Sequence, residues 1–223
     1  MRIEMPYEAE WIIDNIRSHG YEAFIVGGCV RDAVLGRIPG DWDITTSAKP
    51  EQVKEIFGKT VDTGLKHGTV TIIKHGSGYE VTTYRIDGEY LDGRHPETVE
   101  FTPDLREDLK RRDFTINAMA YSHETGIVDE FECMEDLKRR VIRCVGCAKD
   151  RFTEDALRIL RAVRFAAQLD FVIEDETYKA IAESRRTSSM RARSGSRWNS
   201  RSFCCRIIRR RSGWWTRRGS RSM

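Results

Sequence analysis

The sequence lacks the features that mark several special classes of protein. No run of about 18 apolar residues occurs, so a transmembrane helix is not expected. The first residues carry acids and no apolar core of the signal-peptide kind, so we expect a cytoplasmic protein with no membrane partner. Six cysteines are scattered through a chain large enough to bury a core, which argues against a disulfide-stapled fold. Cys144 and Cys147 have no second pair at zinc-finger spacing, and we interpret them as incidental.

Acidic residues and lysine are absent from residues 184–223, which carry thirteen arginines and ten serines. Because the whole chain has a net charge of +3, residues 1–183 carry −10. A basic segment of this kind is typical of an arm that binds nucleic acid. The alternative is a frameshifted gene whose end is translated out of frame, and the abrupt change in composition favours it. We therefore expect an Arg/Ser-rich tail that is disordered or the product of a frameshift.

The stretch GGCVRDAVLGRIPGDWD at residues 27–43 is the most informative part of the chain. Its two glycines let the backbone approach a ligand closely, and amides at a helix start favour anions. Asp41 and Asp43 would face the same side of a strand at 41–46. Two such carboxylates repel each other unless a metal lies between them, so the stretch suggests a Mg²⁺–nucleotide site. The alternative is a surface turn with two solvated acids.

A second group of polar residues recurs at every third position of a helix predicted from Glu154 to about Leu169. The group consists of Asp155, Arg158, Arg161 and Arg164. A carboxylate accepts from the exocyclic amine of cytosine or adenine, and a guanidinium donates to the neighbouring ring nitrogen. Guanine and uracil present mismatched groups, so Asp155 and Arg158 could select C and A. Taken alone, the pattern favours the alternative, an i, i+3 surface ion pair, and base selection is predicted only together with the motifs below.

Together with three later segments, the 27–43 stretch resembles the class II nucleotidyltransferases, the family that contains bacterial tRNA CCA-adding enzymes and poly(A) polymerases. The later segments follow in the family's order and are RRDFTINAMAY (111–121), RVIRCVG (140–146) and EDALRILRAVRF (154–165). The resemblance implies an α+β fold, with a polymerase β-like nucleotidyltransferase palm built on a small mixed sheet and followed by an α-helical neck segment. It places a catalytic head at 1–139 and the start of the neck, with the base-reading helix, at 140–183.

The resemblance also implies roles for the acids and for the phosphate-binding groups. Asp41 and Asp43 would hold two Mg²⁺ ions, and Glu80 would be a third catalytic carboxylate. The alternative for Glu80 is an ordinary acid of an edge strand. Gly28 and Arg31 would cradle the triphosphate of the nucleotide, with help from Arg161 and Arg164.

The RRDFTINAMAY segment supplies three further nucleotide-binding residues, Arg112, Asp113 and Asn117. A guanidinium can bind phosphate as a fork, while a carboxylate and an amide suit ribose hydroxyls. Arg111 is interpreted as a solvated residue. The segment is predicted to continue into a helix, and residues 87–100 before it are predicted to form a flexible loop.

The implied activity is CCA addition, in which a tRNA 3′-hydroxyl attacks the α-phosphate of CTP or ATP and pyrophosphate leaves. The partners are then tRNA and the two nucleotides. One alternative is a poly(A) polymerase or an enzyme that adds only CC or only A. The other is a truncated, non-catalytic RNA-binding remnant.

Overall fold

The computed structural model describes residues 1–88, 90 and 97–191. The helices in these ranges are α1 (Tyr7–Ser18), α2 (Gly28–Val34), α3 (Pro50–Ile56), α4 (Leu105–Lys110), α5 (Cys133–Arg139), α6 (Ala148–Glu154), α7 (Leu157–Leu169) and α8 (Asp175–Arg191). The strands are β1 (Ala23–Val26), β2 (Ile44–Thr46), β3 (Thr60–Gly64), β4 (Thr69–Lys74), β5 (Ser77–Thr83), β6 (Arg85–Asp87), β7 (Val99–Phe101), β8 (Met119–Ser122), β9 (Gly126–Asp129), β10 (Val141–Ile142) and β11 (Val172–Ile173).

A seven-stranded sheet in the order β3-β4-β5-β2-β1-β8-β9 forms the first part of the molecule. The β2–β5 pair is parallel and the other pairs are antiparallel, which confirms the predicted mixed sheet. All four residues of β1 are buried, as expected for a strand in the middle of a sheet. Ile12 and Ile16 on α1 are fully buried in the core, which the helical spacing of apolar residues predicts.

The strand order brings the ends of β1, β2 and β8 together at one edge of the sheet. The amide of Gly27, just after β1, donates to the carbonyl of Met119 at 3.1 Å. The amide of Val26 donates to the carbonyl of Asp43 at 2.9 Å. The glycine turn, the aspartates and the start of β8 are therefore neighbours, although 92 residues separate Gly27 from Met119.

Two predicted boundaries near this edge are wrong. Residues 119–122 form the buried strand β8 and not the continuation of a helix, because they pair with β1 on one side and β9 on the other. Long-range pairing here outweighs the helix propensity of alanine and methionine. The second strand begins at Ile44 and not at Asp41, so both aspartates lie in the loop that precedes it.

Residues 140–183 pack against the 113–115 segment. The amide of Thr115 donates to the carbonyl of Arg143 at 2.9 Å, and the amide of Val145 donates to the carbonyl of Asp113 at 3.2 Å. Parallel pairing of β10 with β11 then closes the connection that contains α6 and α7. The predicted single helix from Glu154 to about Leu169 is wrong, because α6 ends at Glu154 and α7 begins at Leu157.

No helix in the described ranges is long and apolar enough to cross a membrane. Most of the predicted 87–100 loop falls on residues 89 and 91–96, which lie outside the described residues. The part of it that is described includes β7, which pairs with β6. Helix α8 continues eight residues past 183 to Arg191. The prediction for the Arg/Ser-rich tail otherwise concerns residues 192–223, which are also outside the described residues.

Candidate active site

The turn between β1 and α2 requires glycine at its first position. Gly27 has a φ of +82°, in the left-handed region that favours glycine. A Cβ at Gly27 would also lie 3.0 Å from Nη1 of Arg112. The absence of a side chain therefore lets the Arg112 guanidinium lie directly against the turn. Gly28, the next residue, is the first residue of α2.

Arg31 on α2 is buried and held at both ends of its guanidinium. Its Nε and Nη2 each donate to the carboxylate of Asp32 at 2.9 Å, and its Nη1 donates to Oδ1 of Asn117 at 2.6 Å. A guanidinium has five N–H donors, so these bonds leave two for a ligand. Arg31 is thus preorganised, with part of its donor capacity remaining.

Asp113 is buried and continues the same network to α7. Its Oδ1 accepts from the amide of Phe114 at 2.9 Å and from Nδ2 of Asn117 at 3.4 Å. Its Oδ2 accepts from Nε of Arg161 at 2.5 Å. The structure therefore joins Arg31, Asn117, Asp113 and Arg161 in one chain of hydrogen bonds. These residues come from three separate segments of the sequence.

The two aspartates lie side by side in the loop before β2. Asp43 is at the surface, but the protein packed against one side of its carboxyl removes water, and this desolvation raises its pKa. The guanidinium of Arg112 opposes the rise, and the negative charge of Asp41 adds to it. Carboxylate oxygens are the ligands that Mg²⁺ prefers, and a cation would relieve this repulsion. The donor set therefore fits a hard divalent metal.

Glu80 is an exposed residue on β5. This strand pairs with β4 on one side and β2 on the other, so Glu80 is not on an edge strand. The parallel register pairs Ile44 with Val81, so Asp43 and Glu80 precede paired residues on neighbouring strands. Glu80 is the fourth residue of β5, so it lies beside the start of β2 and not at the end of its own strand. Even so, no group of three or more His, Cys, Asp or Glu side chains that could hold a metal occurs in the described part of the chain. The structure thus brings Asp41 and Asp43 together but does not gather a three-carboxylate cluster.

Asp155 and Arg158 do not form the predicted pair on one helix. Asp155 lies in the break between α6 and α7, where its Oδ1 accepts from the amide of Leu157 at 2.8 Å. Arg158 is buried, and its Nη1 donates to Glu154 at 2.7 Å. Its Nη2 lies 3.4 Å from the hydroxyl of Tyr90. The i, i+3 surface ion pair considered from the sequence is therefore absent from this part of the described structure, since Arg158 has a different acidic partner.

The remaining predicted arginines surround one aromatic ring. Arg161 is half-buried and Arg164 is exposed, and their Cζ atoms lie 5.4 and 5.0 Å from the centroid of the Phe165 ring. Cζ of Arg31 lies 5.3 Å from the same centroid. The three arginines predicted to bind the triphosphate are therefore close together in space.

Asp108 is a buried residue of the site region that sequence reasoning missed. Its Oδ1 accepts from Nε and Nη2 of Arg111 at 2.9 and 2.8 Å, and its Oδ2 accepts from Nη2 of Arg112 at 3.3 Å. Oγ1 of Thr45, on β2, donates to the same carboxylate at 3.2 Å. Arg111 is therefore ion-paired and largely buried, so its interpretation as a solvated residue is wrong. The i, i+3 and i, i+4 spacing of Asp108 from the two arginines was the available signal.

Arg112 carries an unused donor in this arrangement. Its Nε is buried and has no hydrogen-bond partner among the described residues. An unpaired buried donor costs free energy unless a ligand or water satisfies it. Together with its position against Gly27, this leaves Arg112 able to bind an anion or a hydroxyl at the glycine turn.

The chain is similar in sequence to one protein family and to several proteins of known name. Residues 23–143 match the family described as the poly A polymerase head domain. The chain is 53% identical over 183 residues to the CCA-adding enzyme of Lactiplantibacillus plantarum, which covers 81% of this chain and 45% of that protein. It is 53% identical over 179 residues to the CCA-adding enzyme of Geobacillus kaustophilus, covering 80% of this chain and 44% of the other.

Solved structures show the same likeness. The crystal structure of Bacillus stearothermophilus CCA-adding enzyme in complex with CTP matches with a TM-score of 0.72 at 50% identity, over 79% of this chain and 43% of that one. A tRNA nucleotidyltransferase complexed with a primer tRNA and an incoming ATP analog matches with a TM-score of 0.64 at 33% identity, over 79% and 50%. The chain thus spans about half the length of the relatives it matches.

Proposed function

Since the chain belongs to the family of poly(A) polymerase head domains, we propose that it is the catalytic head of a CCA-adding tRNA nucleotidyltransferase. In this proposal residues 1–139 are the head, residues 140–183 begin a helical neck, and C and A are added to the tRNA 3′ end from CTP and ATP. The end of the family match at residue 143 supports the boundary. The printed names of the relatives, which are CCA-adding enzymes, support the reaction.

The observation that carries the proposal is the hydrogen-bonded chain Asp32–Arg31–Asn117–Asp113–Arg161 beside the glycine turn. A nucleoside triphosphate presents a polyanion at one end and ribose hydroxyls next to it. Arginines suit the phosphates, while a carboxylate and an amide suit the hydroxyls. The network contains both kinds of group, the guanidiniums of Arg31 and Arg161 and the polar side chains of Asn117 and Asp113, joined by direct hydrogen bonds.

The metal-binding residues in this proposal are Asp41 and Asp43, which would hold two Mg²⁺ ions. Enzymes of the family are generally metal-dependent. Bound divalent metals supply Lewis-acid stabilisation of the attacking and leaving oxygens in phosphoryl transfer. The chain's own residues do the positioning. Gly28, Arg31, Arg161 and Arg164 hold the triphosphate, and Arg112, Asp113 and Asn117 hold the sugar and the phosphate next to it. Glu80, on β5 beside the start of β2, is a further catalytic carboxylate in this proposal.

Base choice is assigned to Asp155 and Arg158. One carboxylate oxygen of Asp155 is used by the amide of Leu157, which leaves the second oxygen for an exocyclic amine. Arg158 is held by Glu154 and can donate to a ring nitrogen from a fixed position. This donor and acceptor set matches cytosine and adenine and opposes guanine and uracil.

The alternatives predict different products. A poly(A) polymerase, a CC-only enzyme or an A-only enzyme would share the head residues, and an RNA-binding remnant would add nothing. The relatives' names favour CCA addition over the first group. The phosphate- and sugar-binding network argues against the remnant, because nonspecific RNA affinity requires no buried ribose-binding carboxylate.

The test is nucleotide addition to a tRNA that lacks its 3′ CCA, in low salt with Mg²⁺ and each of the four triphosphates. We expect incorporation of C and A only, and its loss in Asp43→Asn with the fold retained by circular dichroism. Asp62→Asn, on the exposed strand β3, is the control and should leave incorporation unchanged. Full activity of Asp43→Asn, or equal incorporation of all four nucleotides, would contradict the proposal.

A further inference from the structure

Phe165 on α7 occupies an unusual electrostatic position. Three guanidinium carbons, from Arg31, Arg161 and Arg164, lie within 5.4 Å of its ring centroid. The ring is 6% exposed and meets Phe114 edge to face, with centroids 6.0 Å apart and an interplanar angle of 85°. Arg31 comes from α2, whereas the other two arginines come from α7. The ring therefore lies where α2, the helix after the glycine turn, approaches α7.

The cations around this ring are only partly neutralised by acids. Asp32 pairs with Arg31, and Asp113 pairs with Arg161. Arg164 has no ion-pair partner among the residues that the structure describes. Three guanidinium groups held this close repel one another, and the negative face of an aromatic ring offsets part of that repulsion. The cluster retains positive charge on its exposed side.

We propose that Phe165 is a positioning residue that holds Arg31, Arg161 and Arg164 in place for the triphosphate of the incoming nucleotide. This inference rests on the proposed function and assigns a role to a residue that touches neither base nor sugar. The ring limits the rotamers of long side chains that otherwise lose substantial conformational entropy on binding. Its contribution is to the part of the ligand common to all four nucleotides, and it leaves base choice unchanged.

An aliphatic residue of similar size could fill the same space but could not supply the same electrostatics. Leucine has no quadrupole, so Phe165→Leu keeps an apolar contact with Phe114 and loses attraction to the three cations. A purely packing role would make Phe165 and an equally buried phenylalanine behave alike. Phe152 on α6, 3% exposed, is that matched position.

The decisive experiment uses the full chain with Phe165 replaced by phenylalanine analogues of increasing fluorine content, which withdraw charge from the ring face at nearly constant shape. Binding of CTP and ATP is titrated with Mg²⁺. We expect Kd to rise stepwise with fluorination, by about threefold to thirtyfold at the end of the series. Phe165→Tyr should bind normally, while Phe165→Leu should match the most fluorinated protein. The ratio of CTP to ATP affinity should stay constant throughout.

Three outcomes overturn the inference in distinguishable ways. A constant Kd across the Phe165 series, with Arg161→Ala still weakening every nucleotide, would mean that the arginines need no ring and that the proposed function stands. A similar rise in Kd for fluorinated Phe152 would mean that the effect is general packing. Absence of CTP and ATP binding by the unmodified chain would remove the proposed function and this inference with it.

Discussion

At the scale of single residues, Asp108 shows how one buried charge can hold two arginines in place. Its side chain is fully buried, and two guanidiniums and a threonine hydroxyl satisfy its oxygens. Burial acts to raise the pKa of this carboxyl, but the charges of Arg111 and Arg112 outweigh it and hold the pKa below its ordinary value. The carboxylate connects β2, which follows the loop of Asp41 and Asp43, with the arginines of the RRDFTINAMAY segment.

We predict that Asp108→Asn destabilises the protein by about 3–5 kcal/mol, because the largely buried Arg112 loses its charge partner and Arg111 keeps only Asp87, 3.8 Å away. Since the folded pKa is lowered, the ionised carboxylate stabilises the fold above the ordinary carboxyl pKa, and this contribution is lost as the pH falls through the folded pKa. Urea denaturation of wild type and variant should therefore converge in acid. Asp104→Asn, an exposed cap of the same helix, should change stability by less than about 0.5 kcal/mol. Equal stability of Asp108→Asn and wild type at neutral pH would contradict this account.

At the scale of elements, the break between α6 and α7 decides how Asp155 and Arg158, the residues to which we assign base choice, are presented. In that proposal Asp155 has two roles, since Oδ1 accepts from the amide of Leu157, the first residue of α7, and the other oxygen is left for a base. Glu154 ends α6 and pairs with both Arg151 and Arg158. A continuous helix would have pointed Asp155 along the helix surface, whereas the break lets its carboxylate accept from the backbone two residues later.

Two substitutions at Asp155 separate these roles. Asp155→Asn keeps an acceptor for the Leu157 amide but replaces the free oxygen with a donor, so we expect near-normal stability and loss of the preference for CTP and ATP. Asp155→Ala should lose the same preference, worth about 1–3 kcal/mol, and about 1 kcal/mol of stability from the lost hydrogen bond with the Leu157 amide. The measurements are titrations with four triphosphates and urea denaturation. A base preference that survives in both variants would refute the assignment of base choice to Asp155.

At the scale of the whole molecule, the chain combines an acidic body with a basic end. Residues 1–183 carry −10, and all thirteen positive charges after them are arginine. The chain also spans about half the length of the CCA-adding relatives it matches. Nucleotide binding and RNA binding are therefore expected to depend on different parts of this chain.

We predict that removing residues 192–223, which keeps α8 whole, leaves CTP affinity unchanged and weakens tRNA binding. The deleted segment carries ten arginines, whose phosphate contacts release counterions, so the full chain should show the steeper dependence of log K on log salt. Fluorescence anisotropy with labelled tRNA at several salt concentrations measures both slopes. Binding by the shortened chain that is as tight and as salt-dependent as that of the full chain would show that the basic segment makes no contribution.

The sequence by itself determined the family and the class of fold. Four short segments in a fixed order identified the class II nucleotidyltransferases, and the family match and the relatives confirm that resemblance. The mixed α+β architecture is also confirmed. The motifs were recognisable because some of their residues are constrained by local backbone geometry, as Gly27 is by its positive φ. The roles assigned to the site residues stay predictions.

Only the tertiary structure decided which groups pair with one another. Met119–Ser122 is a strand because β1 and β9 flank it, although its residues favour a helix. Arg158 pairs with Glu154, and Asp113 pairs with Arg161 across 48 positions of sequence. Such partners depend on which elements the fold brings together. The spacing of residues along one helix does not show which residues of other elements will contact it. The contact of three arginines with the Phe165 ring likewise could not be predicted from the sequence, because Arg31 approaches the ring from another helix.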